Sequence, residues 1–259
     1  MRSLAIAICL LGIAHAQTTT RDVDAEITAA YGQLRANNNL FIELAGVRTL
    51  GTTTTELKTQ AYWQTDTTVT PPVLRAEIWQ YRNNELLSRT IGDGRTIWTY
   101  HNDSFTYSAT PYGRWSQDPN PRYRADFIDL MTESAGEEAS YIARLLREIF
   151  AGDNAAYRSW MPAVEPVNGT DDPFDVVYTL GDPKKREVVF DLDMEDTGLR
   201  LTGIDFYDQK KIGTRLRETT WRIDVLAESF VPPTMDFRPK SMADLAGWKQ
   251  VTRPKPGIQ

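Results

Sequence analysis

The stretch that decides the fold runs from Leu86 to Thr110, LLSRTIGDGRTIWTYHNDSFTYSAT. Runs of β-branched and aromatic residues flank Gly92-Asp93-Gly94, where glycine supplies the positive φ that a tight hairpin turn needs. A polar turn at Asn102-Asp103 then leads into a third run. Trp98 and Tyr100 fall on one face of the middle run, because successive strand side chains point to opposite faces. The stretch therefore predicts three consecutive antiparallel strands.

The same two-residue periodicity continues on both sides of this stretch, in segments rich in Thr, Val, Ile, Tyr and Trp. Short polar turns join most of these segments, so neighbouring strands must be antiparallel, since parallel neighbours need a long crossover. The predicted strands are Leu40–Gly51, Thr55–Thr65, Val73–Tyr81, Glu85–Ile91, Thr96–Tyr100, Phe105–Thr110, Phe174–Leu180, Glu187–Leu192, Leu199–Tyr207 and Glu218–Leu226.

Three segments have helical periodicity instead. Asp22–Arg35 carries one apolar stripe and begins with carboxylates, which suit the positive end of the helix dipole. Tyr123–Thr132 is a second candidate, and a capping-box pattern at Ser134–Glu137 begins a third, whose apolar stripe includes Ile142, Leu145 and Leu146. Because the second and third helices are apolar on one side only, we expect both to lie on the sheet.

The two ends of the chain differ from the middle. Arg2, a short apolar run and Ala14-His15-Ala16 form a secretory signal peptide, with cleavage predicted after Ala16. The apolar run is shorter than the roughly 20 residues that span a bilayer. We therefore predict a signal peptide at 1–16, one domain at 17–240, and an extended or poorly ordered tail at 241–259, which ends in RPKPGIQ.

The residue inventory limits the chemistry. Cleavage after Ala16 would remove the one cysteine, Cys9, and leave His101 as the remaining histidine. Cysteine nucleophiles and His/Cys zinc sites are then excluded, and no G-x-S-x-G motif accompanies His101. The net charge of −6, one unit more negative without Arg2, argues against nucleic acid or an anionic membrane surface as a partner. No enzyme activity, cofactor or metal is predicted.

One motif imitates an enzyme. The three apolar residues Val188-Val189-Phe190, followed by Asp191 and Asp193, resemble the nucleophile strand of haloacid-dehalogenase-type phosphatases, in which Asp191 would be the nucleophile and magnesium the cofactor. Met194 and Glu195 depart from that family's pattern, and too little chain follows for a doubly wound fold. The favoured interpretation is a hairpin with an acidic turn at Asp193–Gly198, and a phosphatase remains a remote alternative.

The order of elements and two local motifs resemble a known family. The turn Asp93-Gly94 followed by Trp98-x-Tyr100, and the ending at 228–237, ESFVPPTMDF, resemble the LolA/LolB-type carriers of outer-membrane lipoproteins. That family has an arginine before the proline that begins its third strand, whereas Thr70 precedes Pro71 here. The chain is therefore identified as a divergent member. The resemblance implies a mainly β fold: a strongly curved antiparallel sheet, an incomplete barrel, closed by an N-terminal helix and a mid-chain helical lid.

The resemblance also implies a function. The protein would be a periplasmic, monomeric carrier that binds a lipid or a lipidated protein in an apolar cavity, working with membrane-associated donor and acceptor proteins in outer-membrane biogenesis. A sensory or structural interaction module on the same fold is the alternative. Residues predicted to line the cavity and its lid are Trp63, Trp79, Trp98, Tyr100, Ile142, Leu145, Leu146 and Trp221.

Overall fold

A computed structural model describes residues 22–70, 72–112, 121–132, 139–151, 167–168, 174–180, 185–196, 198–227 and 237–252. The helices are α1 (Val23–Ala36), α2 (Pro121–Thr132) and α3 (Ala139–Ala151). The strands are β1 (Asn39–Leu50), β2 (Thr53–Asp66), β3 (Val73–Arg82), β4 (Glu85–Gly92), β5 (Thr96–His101), β6 (Thr106–Pro111), β7 (Val167–Asn168), β8 (Val176–Leu180), β9 (Arg186–Glu195), β10 (Gly198–Ile212), β11 (Arg215–Ala227) and β12 (Lys249–Gln250).

These strands form one sheet in the order β12-β6-β5-β4-β3-β2-β1-β11-β10-β9-β8-β7. All pairs are antiparallel except β6 with β12, and the two edge strands do not pair with each other. The sheet consists of two meanders that meet where β1 pairs with β11, with Leu44 opposite Ile223. The predicted antiparallel, open sheet is confirmed.

All three helices cover one face of the sheet, which we call the inner face. A single apolar core joins side chains of the helices to side chains of strands from β5 across to β8. These nine neighbouring strands would span about 38 Å if they were flat, at about 4.8 Å per strand. Three helices side by side cover only about 30 Å. The sheet therefore curves around the helices as an incomplete barrel.

Helix α1 forms for the reasons that its sequence indicates. The N–H of Ala25 donates to the Asp22 carboxylate at 3.1 Å and caps the first turn. Ile27, Tyr31 and Leu34 are buried in the core, as the apolar stripe predicts. Helices α2 and α3 occupy the predicted segments, while the capping box at 134–137 lies outside the described residues. Among the described residues, no helix combines the length and apolar character needed to cross a membrane.

The opposite face, which we call the outer face, carries a second and smaller apolar cluster. Strand residues Phe41, Tyr62 and Tyr100 contribute to it, and they are covered by Phe237 and Leu245 from the C-terminal segment. Residues 241–252, predicted to belong to an extended or poorly ordered tail, thus pack on the same sheet and end in β12. Residues 253–259 lie outside the described residues.

Candidate functional site

The inner face places five of the eight predicted cavity residues in one layer. Trp63 and Trp221 project from β2 and β11, and both are almost fully buried. Ile142, Leu145 and Leu146 reach the same layer from α3. Trp63 meets the ring of Phe150, also on α3, edge to face at a centroid distance of 5.2 Å. The layer between sheet and helices is therefore apolar and rich in aromatic rings.

The other three predicted residues lie on the outer face. Trp79 alternates with Ile78, which points into the core, and so faces away from the helices. The indole N–H of Trp98 donates to Asp93 at 3.1 Å, and Tyr100 is buried in the outer cluster. The structure thus separates the predicted set into an inner group, Trp63, Ile142, Leu145, Leu146 and Trp221, and an outer group, Trp79, Trp98 and Tyr100.

Sequence reasoning missed a set of polar atoms in the inner layer. Within the described residues, the indole N–H groups of Trp63 and Trp221 and the hydroxyls of Ser108 and Thr219 are buried and have no hydrogen-bond partner. All four side chains are at least 97% buried. Such groups are nearly always paired in folded proteins. No local sequence signal could have identified these atoms, because the whole fold determines whether a buried polar group finds a hydrogen-bond partner.

The two indole N–H groups lie toward different ends of the apolar layer. Trp63 is opposite Leu40 of β1, whereas Trp221 is opposite Gly46. Six residues of strand correspond to about 20 Å. Between Leu40 and Gly46, the side chains on the inner face of β1 are those of Ile42 and Leu44. The inner layer therefore has an apolar middle with unpaired hydrogen-bond donors toward its ends.

Polar contacts hold the helices over the layer. The Gln80 side-chain amide of β3 donates to the Leu130 carbonyl near the end of α2 at 3.0 Å, and accepts a hydrogen bond from Ser88 at 2.7 Å. Asp129 of α2 forms an ion pair with Arg147 of α3. These contacts link α2 to the sheet and to α3, and we call the two helices together the cover.

The outer face of β9, β10 and β11 carries a different site. A groove of about 380 Å³ lies there, lined by side chains that include Val47, Val189 and Tyr207. At its edge Arg222 bonds to Asp191, to Asp205 at 2.9 Å and to Asp224 at 2.7 Å.

The charge balance of this groove follows from that network. Burial raises the pKa of the Asp205 carboxyl, and Arg222 opposes the rise. Burial by itself would lower the pKa of the Arg222 guanidinium, but the hydrogen bonds that Arg222 donates to Asp191 and Asp224 outweigh this effect and raise it. Arg222 is thus held as a permanent cation among three carboxylates.

The phosphatase-like motif takes the predicted hairpin form. Strand β9 runs to Glu195, Asp196 lies in the turn, and β10 returns antiparallel, so that Asp191 pairs with Gly203. Asp191 is bound by Arg222, and its strand belongs to no parallel β-α unit. His101, the histidine that remains after the predicted cleavage, is the last residue of β5. Among the described residues, no group of three or more His, Cys, Asp or Glu side chains could hold a metal ion.

Comparison with known proteins gives only distant likeness. No family model and no curated protein matches the sequence. A solved structure of an uncharacterized conserved protein from Thermus thermophilus aligns with a TM-score of 0.36 and 10% identity, over 89% of this chain and 99% of that one. A DUF1329 family protein from Desulfovibrio piger aligns with a TM-score of 0.33 and 8% identity, over 82% and 95%.

A third solved structure, MucB in complex with MucA(peri), aligns with a TM-score of 0.14 and 8% identity, over 80% of this chain and 100% of that one. Scores at this level establish neither a shared family nor a shared function. The resemblance to the LolA/LolB-type carriers therefore stays a prediction from the sequence motifs.

Proposed function

We propose that this chain is an exported carrier that holds a lipid, or the acyl chains of a lipidated protein, between the inner face of the sheet and the cover formed by α2 and α3. The observation that carries the proposal is the set of unpaired buried donors at Trp63, Ser108, Thr219 and Trp221. A buried donor without an acceptor costs about 1–3 kcal/mol. An amphipathic guest that brings oxygen atoms to these donors would remove that cost.

The apolar middle of the layer suits the rest of such a guest. Ile42 and Leu44 lie on the sheet side, and Leu145 and Leu146 on the helix side. Each methylene that moves from water into this layer gains about 0.8 kcal/mol. A long acyl chain would thus supply most of the affinity, while the donors would fix the position of its polar group.

Entry and release need the cover to move. Polar contacts of Asp129, Arg147 and Gln80 attach α2 to α3 and to the sheet. Opening there would break hydrogen bonds that water can replace, whereas separation of the sheet strands would break a continuous ladder. We therefore propose that the helices move while the sheet stays intact.

The test uses quenching of tryptophan fluorescence by dibromostearic acid, since bromine quenches only nearby indoles. We expect the full-length protein to be quenched, and the double variant Trp63→Phe/Trp221→Phe to lose most of the ligand-dependent quenching. The matched control is Trp79→Phe/Trp98→Phe, which removes two indoles from the outer face and should retain it. Native mass spectrometry of protein purified from a periplasm should in addition detect bound lipid.

Equal quenching in both double variants, or none in the unmodified protein, would contradict the proposal. Protein that carries no lipid in the mass spectrum and shows no quenching would instead favour a module that recognises a protein partner. Thermal unfolding of each variant separates loss of the ligand from loss of the fold.

A further inference from the structure

The hairpin formed by β10 and β11 ends in a tip whose charge is opposite to that of the whole chain. The segment 209–217, QKKIGTRLR, contains four cations and no acid, although the chain has a net charge of −6. Lys210, Lys211 and Arg215 are exposed, and Arg217 is buried. Three exposed positive charges therefore flank one short turn.

The acids that flank the tip hold the base of the hairpin. Asp208 forms an ion pair with Arg186 at 2.9 Å. Glu218 accepts hydrogen bonds from Tyr207 and Gln209, both at 3.1 Å. The segment beyond these two carboxylates therefore carries a net positive charge at the end of the hairpin.

The tip also exposes aliphatic side chains beside its cations. Ile212 is 39% exposed and Leu216 is 47% exposed. No aromatic residue occurs in the segment 209–217. Sites for single-stranded nucleic acid place aromatic rings among the cations so that bases can stack on them. Cations interleaved with aliphatic residues instead match a lipid surface, where the charges meet headgroups and the aliphatic groups enter the boundary.

The backbone holds this tip in a fixed shape. Gly213 has φ of 59° and takes the first position of a two-residue turn between the paired Ile212 and Arg215. This is the position where the tight hairpin turn of type II′ requires glycine. The neighbouring β1–β2 hairpin has the same arrangement at Gly51, whose N–H donates to the Leu216 carbonyl at 3.5 Å. Hydrogen bonds thus join the two adjacent hairpins at this end of the sheet.

We infer that the tip of the β10–β11 hairpin docks on a membrane surface that contains anionic phospholipids. The residues that would contact the surface are Lys210, Lys211, Ile212, Arg215 and Leu216. The negative net charge of the chain argues against such a partner. However, electrostatic attraction to a surface acts only within a Debye length, about 10 Å at 0.1 M salt. The local charge of the tip therefore decides whether the tip is attracted to the membrane. This inference goes beyond the carrier function and does not require an occupied interior.

The test is sedimentation of the full-length protein with vesicles of phosphatidylcholine alone or mixed with phosphatidylglycerol. We expect binding to the mixed vesicles that weakens as salt is added. Each cation near an anionic surface contributes about a fivefold gain, so Lys210→Gln/Lys211→Gln/Arg215→Gln should bind about 100-fold more weakly. Ile212→Ser/Leu216→Ser should weaken binding while leaving its salt dependence unchanged.

The matched control removes three exposed cations from separate places, as Arg95→Gln/Arg144→Gln/Lys249→Gln, with the same change in net charge. The control should bind mixed vesicles nearly as the unmodified protein does. Equal weakening in both triple variants, no preference for anionic vesicles, or tip-dependent binding of an oligonucleotide in place of vesicles would overturn the inference. Dibromostearic acid quenching, measured on the same variants, reports the carrier function separately.

Discussion

The indole ring of Trp221 lies against Gly46 of the neighbouring strand, so that a Cβ at position 46 would be only 2.5 Å from the ring. The backbone of β1 and the ring of Trp221 are so close at this point that only glycine fits at position 46. One of the two inner-face tryptophans thus owes its position to a missing side chain on β1, and the proposed binding layer begins at this contact.

Gly46→Ala should therefore destabilise the protein, by about 1–3 kcal/mol, because the added methyl group overpacks the inner face. The measurement is thermal unfolding followed by circular dichroism. The matched control is Gly32→Ala in α1, where an added Cβ meets nothing within 4 Å and should stabilise the helix by about 0.5–1 kcal/mol. Equal melting temperatures for Gly46→Ala and the unmodified protein would contradict the close packing.

Gln80→Met should loosen the cover. The change removes the amide that binds the Leu130 carbonyl and Ser88, at a cost of about 1–2 kcal/mol, while it keeps much of the side-chain volume. We expect faster hydrogen exchange in residues 121–132 and faster release of a bound fatty acid. Gln64→Met, on the outer face of β2, is the control. Unchanged exchange of α2 would show that Gln80 does not anchor it.

Arg222→Met should destabilise the protein at pH 7 by about 1–2 kcal/mol, a range that allows for the partial exposure of the network. Burial already raises the pKa of Asp205, and loss of Arg222 removes the neighbour that opposes this rise. Urea unfolding at several pH values measures the effect.

The sign of the pH dependence follows from that raised pKa. The folded variant binds a proton on Asp205 more readily than the unfolded chain does, so its stability rises as pH falls through the folded pKa toward the unfolded value near 3.9. We therefore expect the deficit against the unmodified protein to be largest at neutral pH and smaller near pH 4. Arg95→Met is the control. A stability difference between Arg222→Met and the unmodified protein that does not change with pH would show that protonation of the carboxylates does not contribute to it.

Trp248→Ala should release the C-terminal segment from the outer face. The Lys240 ammonium lies 4.1 Å from the Trp248 ring centroid and 5.4 Å from that of Tyr100, and the Lys240 N–H donates to the Tyr100 hydroxyl at 3.0 Å. Loss of the Trp248 ring should weaken the attachment of the C-terminal segment to the outer face by about 1–2 kcal/mol. Trypsin should then cut at Lys240 more rapidly. Met242→Ala, at a residue 78% exposed, should leave the rate unchanged; equal rates in both variants would contradict this contact.

Much of this architecture can be predicted from the sequence because alternation along a strand is a local property. The predicted strand Val73–Tyr81 is β3 to within one residue, and Trp98 and Tyr100 share a face as expected. Strands β10 and β11 extend further toward the turn than predicted, to Ile212 and Arg215. Their polar ends carry little strand signal, and cross-strand pairing with each other keeps them extended.

The outer position of Trp79, Trp98 and Tyr100 could not be predicted in the same way. Alternation says that Trp98 and Tyr100 lie together, but it does not say which face the helices cover. Moreover, an aromatic outer face is stable only because Phe237 and Trp248, far along the chain, cover it. The unpaired donors of the inner layer depend on the complete fold for the same reason.

The pairing of β1 with β11 has a consequence for how the chain acquires its structure. Strand β1 is synthesised early, and its partner β11 is the last of the long strands to be synthesised. Most of the polypeptide must therefore exist before β1 can form its hydrogen bonds with β11. Such a contact closes slowly, because a large loop must be ordered first. Until β11 is made, a nascent chain would present β1 as an unpaired strand, with which a strand of another chain could pair.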